Sequence, residues 1–359
     1  MNKRGIYMGK IILDCDLMRY RDSGLYHYCL NLGLYVQEAL QAEGRDYIAF
    51  YVPPAERESF GKNSRVITER KWHNRYFNPH IWDCNIWHAP FQSGRIPRLK
   101  KSTKVLLTIH DLNCLHEGKT QKEKKHSLQK TQQLIDRADA LVCISAHCKK
   151  DVMDNMDTHG IPVYIIHNGT HQVACPPPGP VAYKPSRPFV FSMGYVNRKK
   201  NFHVLLPLVQ NKEMELLIAG KHDEADYIHK ITKLANELGI TDRVKLLGPV
   251  SEADKAWYLA NCQAFLMPSL AEGFGAPVVE AMKFGKPIFL SSLTSLPEIG
   301  GEAAFYFPDF EAANMQSVFE AGMQKFSTNG MAQKVMERSC LFNWEQKAKE
   351  YISVYRSLL

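Results

Sequence analysis

Paired cysteines, long apolar runs, heptads and low-complexity tracts are all missing from this chain of 359 residues. Its nine cysteines (15, 29, 84, 114, 143, 148, 175, 262 and 340) are odd in number and scattered, with no CxxC pair. That pattern speaks against a disulfide framework or a zinc cage and for a reducing cytosol. No apolar run approaches the roughly 20 residues needed to span a bilayer. The opening MNKRGIYMGKIILDCD holds an apolar stretch too short for a signal peptide, and no small-residue cleavage site follows it. A cytoplasmic location is the expectation.

Acidic residues are in deficit: 45 Lys and Arg face 37 Asp and Glu, a formal net charge of +8. Part of the excess is local. Between Arg95 and Lys130 there are ten basic residues against three acids (Asp111, Glu117 and Glu123). Such a patch attracts the phosphates of lipid head groups, acidic glycans or nucleic acid, while a solvated basic face is the plain alternative. Hydrophobic residues at 45% and charged residues at 23% are typical of a globular protein. The length suits two domains of about 150 to 180 residues better than one core.

The first half alternates short apolar runs with helical patterns. KIILD (10–14), YIAFYV (47–52), IWH (86–88), VLLTIH (105–110), ALVCIS (140–145) and VYIIH (163–167) read as strands. Leu25, Tyr28, Cys29, Leu32, Tyr35, Val36, Ala39 and Leu40 recur at helical steps, one face of an amphipathic helix. HQVACPPPGPVAYKPSRP (171–188) then packs six prolines into eighteen residues and reads as a linker. Beyond it FVFSM (189–193), LLIAG (216–220), VKLLG (244–248), AFLMP (264–268), PIFL (287–290) and AAFYF (303–307) restart the alternation. The expectation is α/β: domain 1–172, linker 173–188 and domain 189–341, both Rossmann-like and facing a central cleft.

PSLAEGFGAPVVEAM (268–282) sets Glu272 and Glu280 eight positions apart around a Gly273-Phe274-Gly275 turn. The turn leaves a strand, and Pro277 suits the start of a helix because its missing N–H would be unpaired there. Glycines let backbone approach a ligand, and the amides at a helix start suit a phosphate. Carboxylates accept hydrogen bonds, so Glu272 and Glu280 need hydroxyl partners. Anion donors beside two carboxylates fit a sugar nucleotide. The plain alternative has Glu280 facing solvent on a helix face shared with Ala276 and Lys283.

Three further signals sit at strand ends. In SMGYVNRKKN (192–201), Arg198, Lys199 and Lys200 follow the first strand of the second half, where cations would meet a pyrophosphate; a solvated turn is the alternative. TIHDL (108–112) ends an apolar strand with a histidine and an aspartate, also common in capping or core roles. RDSGLYHYCL (21–30) opens the first helix at Gly24, where an acceptor or phosphate can approach the backbone or where the helix simply starts.

Taken together, PSLAEGFGAPVVEAMKFGKP, SLPEIGGEAAFYF (295–307), SMGYVNRKKN, TIHDL, IDRADALVCIS (135–145) and IIHNGT (165–170) resemble retaining glycosyltransferases of the GT-B fold, family 4. The likeness runs from Lys10 to Leu359. FNWEQKAKEYISVYRSLL (342–359) is similar to that family's terminal helix, which crosses back to the first domain. The resemblance implies that Glu272 contacts the donor sugar and Glu280 the ribose. Phe274 and Gly275, with Gly273 in the same turn, offer backbone amides to sugar and phosphates. Arg198 and Lys200 would clamp the pyrophosphate, with Gly194 before them. His110 would bind the sugar near the reacting carbon, Gly24 would mark the phosphate and acceptor loop, and the backbone from Gly248 to Val250 would seat the base. One departure is Tyr195, where many members carry arginine directly after the glycine matching Gly194.

The resemblance further implies no metal and no cofactor, the donor itself being a nucleotide-diphosphate sugar. GDP-mannose comes first because the likeness is strongest to mannosyltransferases of bacterial surface-polysaccharide and lipopolysaccharide synthesis; UDP-sugars come second. The implied acceptor is a glycan or lipid-linked sugar, with no nucleic acid. Peripheral contact with the inner face of an anionic cytoplasmic membrane would run through residues 95–130. The rivals are a sugar-nucleotide epimerase or hydrolase of the same fold, a non-catalytic sugar-nucleotide-binding protein, and a metal-dependent GT-A transferase using Asp14-Cys15-Asp16. The last is read as an incidental D-x-D, since it precedes any nucleotide-binding unit.

Overall fold

The protein is described from a computed structural model covering residues 9–21, 23–44, 47–70, 79–170, 179, 182–328 and 330–359. The proline-rich stretch read as a linker falls largely on residues 171–178 and 180–181, outside the described set. The chain forms two units. One comprises residues up to Gly169 together with Asn343–Leu359, and the other Thr170–Phe342.

The first unit holds a seven-stranded sheet of β1 (Ile11–Asp14), β2 (Ile48–Val52), β3 (Arg65–Thr68), β4 (Ile86–Ala89), β5 (Lys104–Ile109), β6 (Ala140–Cys143) and β7 (Val163–Ile165). Their order is β3-β2-β1-β4-β5-β6-β7, and every pairing is parallel. The second unit holds β8 (Phe189–Met193), β9 (Glu215–Ala219), β10 (Val244–Gly248), β11 (Ala264–Met267), β12 (Ile288–Ser291) and β13 (Phe305–Phe307). Their order is β10-β9-β8-β11-β12-β13, again wholly parallel. Parallel sheets covered on both faces need strands apolar on both sides. That is why IILD, IAFYV and AFLM are buried at every residue. β3 carries RVIT at the sheet edge with no residue fully buried, so it lacks the apolar run that marks the others.

The order reverses between β1 and β4 and again between β8 and β11, the two points where loops from neighbouring strands leave in opposite directions. The helix Gly24–Ala42 begins where the Ser23 side chain accepts from the Tyr26 amide at 3.2 Å. It buries Tyr28, Cys29, Leu32, Val36 and Leu40. Gly33 is dictated by packing, because a Cβ there would lie 2.5 Å from the Phe60 ring.

The C-terminal helix Trp344–Ser357 packs in the first unit, against the helix Gly24–Ala42. Its face carries two tyrosines into the core. The Tyr351 and Tyr28 hydroxyls are 2.7 Å apart, and the Tyr355 hydroxyl lies 2.8 Å from His88 Nδ1. His88 Nε2 in turn sits 2.8 Å from the Thr108 hydroxyl. These buried polar atoms are satisfied by one another, as burial requires. At the helix start, Gly169 leaves room for Trp344, whose ring would lie 2.5 Å from a Cβ there. No helix among the described residues is long and apolar enough to cross a membrane.

Tyr351→Ala should therefore destabilise the first unit by about 3–5 kcal/mol, through the lost ring and the hydroxyl contact taken from Tyr28 and Thr108. Urea unfolding followed by Tyr and Trp fluorescence checks this, with Tyr351→Phe expected to lose much less; equal losses would refute ring packing as the main contribution.

Candidate active site

In the second unit three glycines meet at the carboxyl edge of neighbouring strands. Gly194, Gly220 and Gly248 follow or end β8, β9 and β10 with φ of +144°, +140° and +69°. The Gly220 amide donates to the Gly248 carbonyl at 2.8 Å, and a Cβ on Gly220 would lie 2.0 Å from the Gly194 carbonyl oxygen. Backbone approach this close excludes any side chain. A Cβ on Gly194 would also meet Lys200 Cε at 2.8 Å, so the lysine stem passes directly over bare backbone.

That stem delivers Lys200 Nζ to the Glu272 carboxylate at 2.6 Å, with side-chain exposures of 13% and 11%. The pair joins the loop after β8 to the loop after β11, the two strands flanking the order reversal. The loops are also tied by the Leu270 amide, which donates to the Lys199 carbonyl at 2.8 Å. Burial would raise the Glu272 carboxyl, but the Lys200 charge beside it holds it below the ordinary glutamate range. Glu272 is thus an anion at neutral pH. An ammonium has three protons to donate, and Glu272 takes one of those of Lys200.

A third loop, after β12, supports the second. The Glu272 amide donates to the Thr294 hydroxyl at 2.9 Å, and the Ser295 hydroxyl donates to the Glu272 carbonyl at 2.9 Å. Thr294 has φ of +52°, a strained conformation for a β-branched residue. Strain of that kind persists where surrounding contacts hold it. Neither residue is visible in sequence as a site residue; the signal available was only the polar SSLTS run after an apolar strand.

Gly275 sits at φ +97° and precedes the helix Ala276–Met282, so Pro277 is the second helical residue and not the first. Phe274 is buried edge-on against Phe342, with ring centroids 5.5 Å apart, and the preceding Gly273 is half-buried. Glu280 does not simply face solvent, since its carboxylate is 3.2 Å from Lys255 Nζ on the helix Glu252–Asn261. Lys255 also contacts Glu252 at 2.7 Å. Sequence reading had no reason to single it out, because the pairing crosses 25 positions between two helices. Val250 lies half-buried between Gly248 and Ser251, whose hydroxyl caps that same helix at 3.0 Å from the Asp254 amide.

Arg198 is not brought to the Lys200–Glu272 pair. It belongs to the same one-turn segment, Arg198–Lys200, but is 62% exposed and lies 3.3 Å from Glu224 beyond β9. Successive residues of a tight turn point apart, so a sequence run of cations does not make a shared clamp.

In the first unit, His110 follows β5 and is buried. Its Nε2 is 2.9 Å from the Pro90 carbonyl, which can only accept, so Nε2 carries the proton and Nδ1 is left as an acceptor. Burial pushes the imidazole down to about 4 despite that carbonyl, so it is neutral at physiological pH. Tyr28 meets it edge-on at 4.6 Å. Gly24 opens its helix with nothing within 4 Å of a Cβ built there, so neither packing nor φ requires glycine. A pocket of about 200 Å³ is lined by Phe91, Gln92, Asp111, Asn113, Lys119 and Lys130. Asp14, ending β1, is pushed up to about 7 by burial in spite of Arg95, and Asp16 pairs with Arg19. Asp16 is thus committed to an ion-pair cluster with Arg19 and Arg95, and Asp14 accepts from the Asp16 amide at 3.1 Å.

The basic run of 95–130 is partly neutralised. Arg95, Lys100, Lys104 and Lys119 pair with Glu69, Asp83, Asp139 and Glu117, and Lys124 donates to the Leu115 carbonyl. Lys122, Lys125 and Lys130 are exposed on the helix Gln121–Ile135.

Two Rossmann-like units with these strand orders define a GT-B fold, and solved structures agree. Sucrose-phosphate synthase from Thermosynechococcus elongatus aligns over 97% of this chain and 98% of its own, with TM-score 0.76 at 18% identity. HepE from Anabaena, solved with UDP and glucose, aligns over 97% and 100% with TM-score 0.71 at 15% identity. Residues 180–317 match the family "Glycosyl transferases group 1", and residues 34–172 match "Glycosyltransferase Family 4". The Escherichia coli O-antigen chain mannosyltransferase B is 29% identical over 183 residues, 47% of this chain and 46% of that protein. The chain belongs to the family 4, group 1 glycosyltransferases. Its alignments span less than half the length of the first curated relatives it matches.

Removing the cation alone should be costly, because it leaves Glu272 charged and buried. Lys200→Met is expected to destabilise the second unit by about 3–5 kcal/mol, while Lys200→Met with Glu272→Leu recovers most of that loss. Because the Glu272 carboxyl is held low in the folded state, the wild-type contribution is complete above the ordinary glutamate range and disappears as pH falls through the depressed value. Urea midpoints across that pH range read both effects, and equal stability of single and double variants would refute them.

Proposed function

We propose that the chain transfers a hexose-type sugar from a nucleotide-diphosphate donor to a glycan or lipid-linked acceptor with retention of configuration. The observation that carries this reading is the buried Lys200–Glu272 pair set over the bare backbone of Gly194. It combines phosphate donors with a hydroxyl acceptor at one strand edge, as a sugar nucleotide needs. GDP-mannose is the first donor on the strength of the mannosyltransferase relatives, and a UDP-sugar the second, supported by the UDP-bound HepE neighbour. Assembly of a surface polysaccharide or lipopolysaccharide is the setting those relatives suggest.

In this reading Glu272 accepts from hydroxyls of the transferred sugar and Glu280 from the ribose diol, exchanging part of its contact with Lys255. Lys200 stabilises charge on the leaving diphosphate, the largest electrostatic task of the reaction. Neutral His110 accepts a sugar hydroxyl at Nδ1. Arg198 would have to leave Glu224 to help with the pyrophosphate, so its role is secondary. The C1–O bond to phosphate breaks, a C1–O bond to the acceptor forms on the same face, and the acceptor proton passes to the departing diphosphate. The donor site calls for no divalent metal, since lysine and backbone amides supply the positive charge. The exposed lysines of Gln121–Ile135 would face an anionic membrane or acceptor from the cytoplasm.

A thermal-shift panel of GDP, UDP, ADP and their sugar conjugates tests the donor. One nucleotide family should raise the melting temperature, by an amount unchanged by added Mg²⁺ or Mn²⁺. Glu280→Ala should weaken nucleotide binding, and Lys200→Ala, assayed at a temperature where circular dichroism shows it folded despite its lower stability, should slow transfer; wild-type affinity and rate in both would overturn the assignment. Chromatography of the reaction separates glycosyl transfer from hydrolysis or epimerisation. Binding to anionic vesicles should weaken as salt rises toward 1 M, where the screening length shrinks to about 3 Å. Equal binding to neutral vesicles would remove the membrane role.

A further inference from the structure

Among the described residues of the first unit, three potential metal ligands converge beside the turn after β5. His116 closes the short turn Asn113–Leu115 after β5, while His147 and Asp151 lie one helical turn apart on the helix Ala146–Asn155. Positions i and i+4 of a helix share a face, so the helix presents an imidazole and a carboxylate together. His116 Nε2 is 2.7 Å from Asp151 Oδ2, and His147 Nε2 is 3.4 Å from the same oxygen. One ligand atom from each of the three lies within 4.8 Å of the others. The two imidazole rings stand 5.2 Å apart, tilted by 47°.

We propose that His116, His147 and Asp151 form a site for one divalent cation of the zinc class. Two imidazole nitrogens and a carboxylate oxygen are the donor set that borderline ions such as Zn²⁺ and Co²⁺ prefer over Mg²⁺ or Ca²⁺. In a tetrahedron with bonds of about 2.0–2.1 Å, ligand atoms are separated by about 3.3 Å. The His147–Asp151 edge already has that length. The His116–Asp151 edge is shorter because a hydrogen bond spans it, and it opens by about half an ångström when the ion replaces the bridging proton. His116 sits on a surface turn, which can yield by that much. Asp151 is held in place by its helix, with its backbone carbonyl accepting from Asn155 Nδ2 at 2.8 Å.

The fourth position is open to water. The site is remote in sequence from Lys200 and Glu272 and supplies nothing to the donor chemistry. Its mechanical effect is to staple the turn after β5, which also lines the pocket at Asp111 and Asn113, to the helix Ala146–Asn155. The competing account is a hydrogen-bonded His–Asp–His cluster that holds protons only.

The test uses the full chain, stripped with a chelator, dialysed and titrated with Zn²⁺ by calorimetry and with Co²⁺ by visible absorption. The expected result is one equivalent bound per chain, with intense cobalt bands typical of a four-coordinate site. His116→Gln and His147→Gln should each weaken binding at least tenfold and abolish those bands, as should Asp151→Asn, which keeps the side-chain shape. His126→Gln, an exposed histidine on the helix Gln121–Ile135, should behave as wild type. Circular dichroism of each apo variant confirms that the fold survives. Wild-type binding no tighter than that of His116→Gln or His147→Gln, or cobalt bands that persist in them, would overturn the proposal.

Discussion

A sheet made only of parallel strands must bury both faces, because every return crossover lays chain across one of them. The polar chemistry of such a unit is therefore confined to strand ends. In this protein both sheets obey the constraint, and each has one order reversal where loops leave a gap beside neighbouring strand ends. The Lys200–Glu272 pair lies at the reversal of the second sheet, and Asp14 ends one of the strands flanking the reversal of the first. Position in the topology, more than composition, selects which polar residues can work together.

Within the second unit, three loops depend on one another. Glycines at 194, 220 and 248 let backbones converge where side chains would collide. The space so created is crossed by the Lys200 stem, which brings a cation to a carboxylate that burial would otherwise neutralise. Thr294, in a conformation unfavourable to its branched side chain, and Ser295 then hold the backbone of the Glu272 loop. Strain at one residue is sustained by hydrogen bonds at the next, which keeps a charged loop fixed before any ligand arrives.

The first unit solves a different problem. Its C-terminal helix comes from the far end of the chain and is held by Tyr28, His88, Thr108, Tyr351 and Tyr355, each satisfied by another. Burial pushes His88 down to about 3, so it joins the core as a neutral group. A core that uses hydroxyls and an imidazole in this way has fewer alternative packings than one of aliphatics alone, because each donor must meet its acceptor.

Twelve of the thirteen strands are legible in the sequence as short continuous apolar runs, and nine of them are the buried inner strands that a covered parallel sheet requires to be apolar on both sides. Only β3 escaped: the edge strands β7, β10 and β13 keep apolar runs, whereas RVIT breaks its run with arginine and threonine where little burial demands otherwise. The glycines and carboxylates of the Glu272 turn were legible for a similar reason: backbone approach and hydroxyl recognition each allow few residue types. Tertiary structure alone decided which neighbours in sequence share a task. Arg198 and Lys200 are two residues apart, yet one reaches Glu224 and the other Glu272. Lys255 finds Glu280, Ser295 finds the Glu272 backbone, and His116 finds Asp151. These partners are set by strand order and crossover length, which bring distant residues to 2.7–3.2 Å of one another without leaving any periodic mark in the chain.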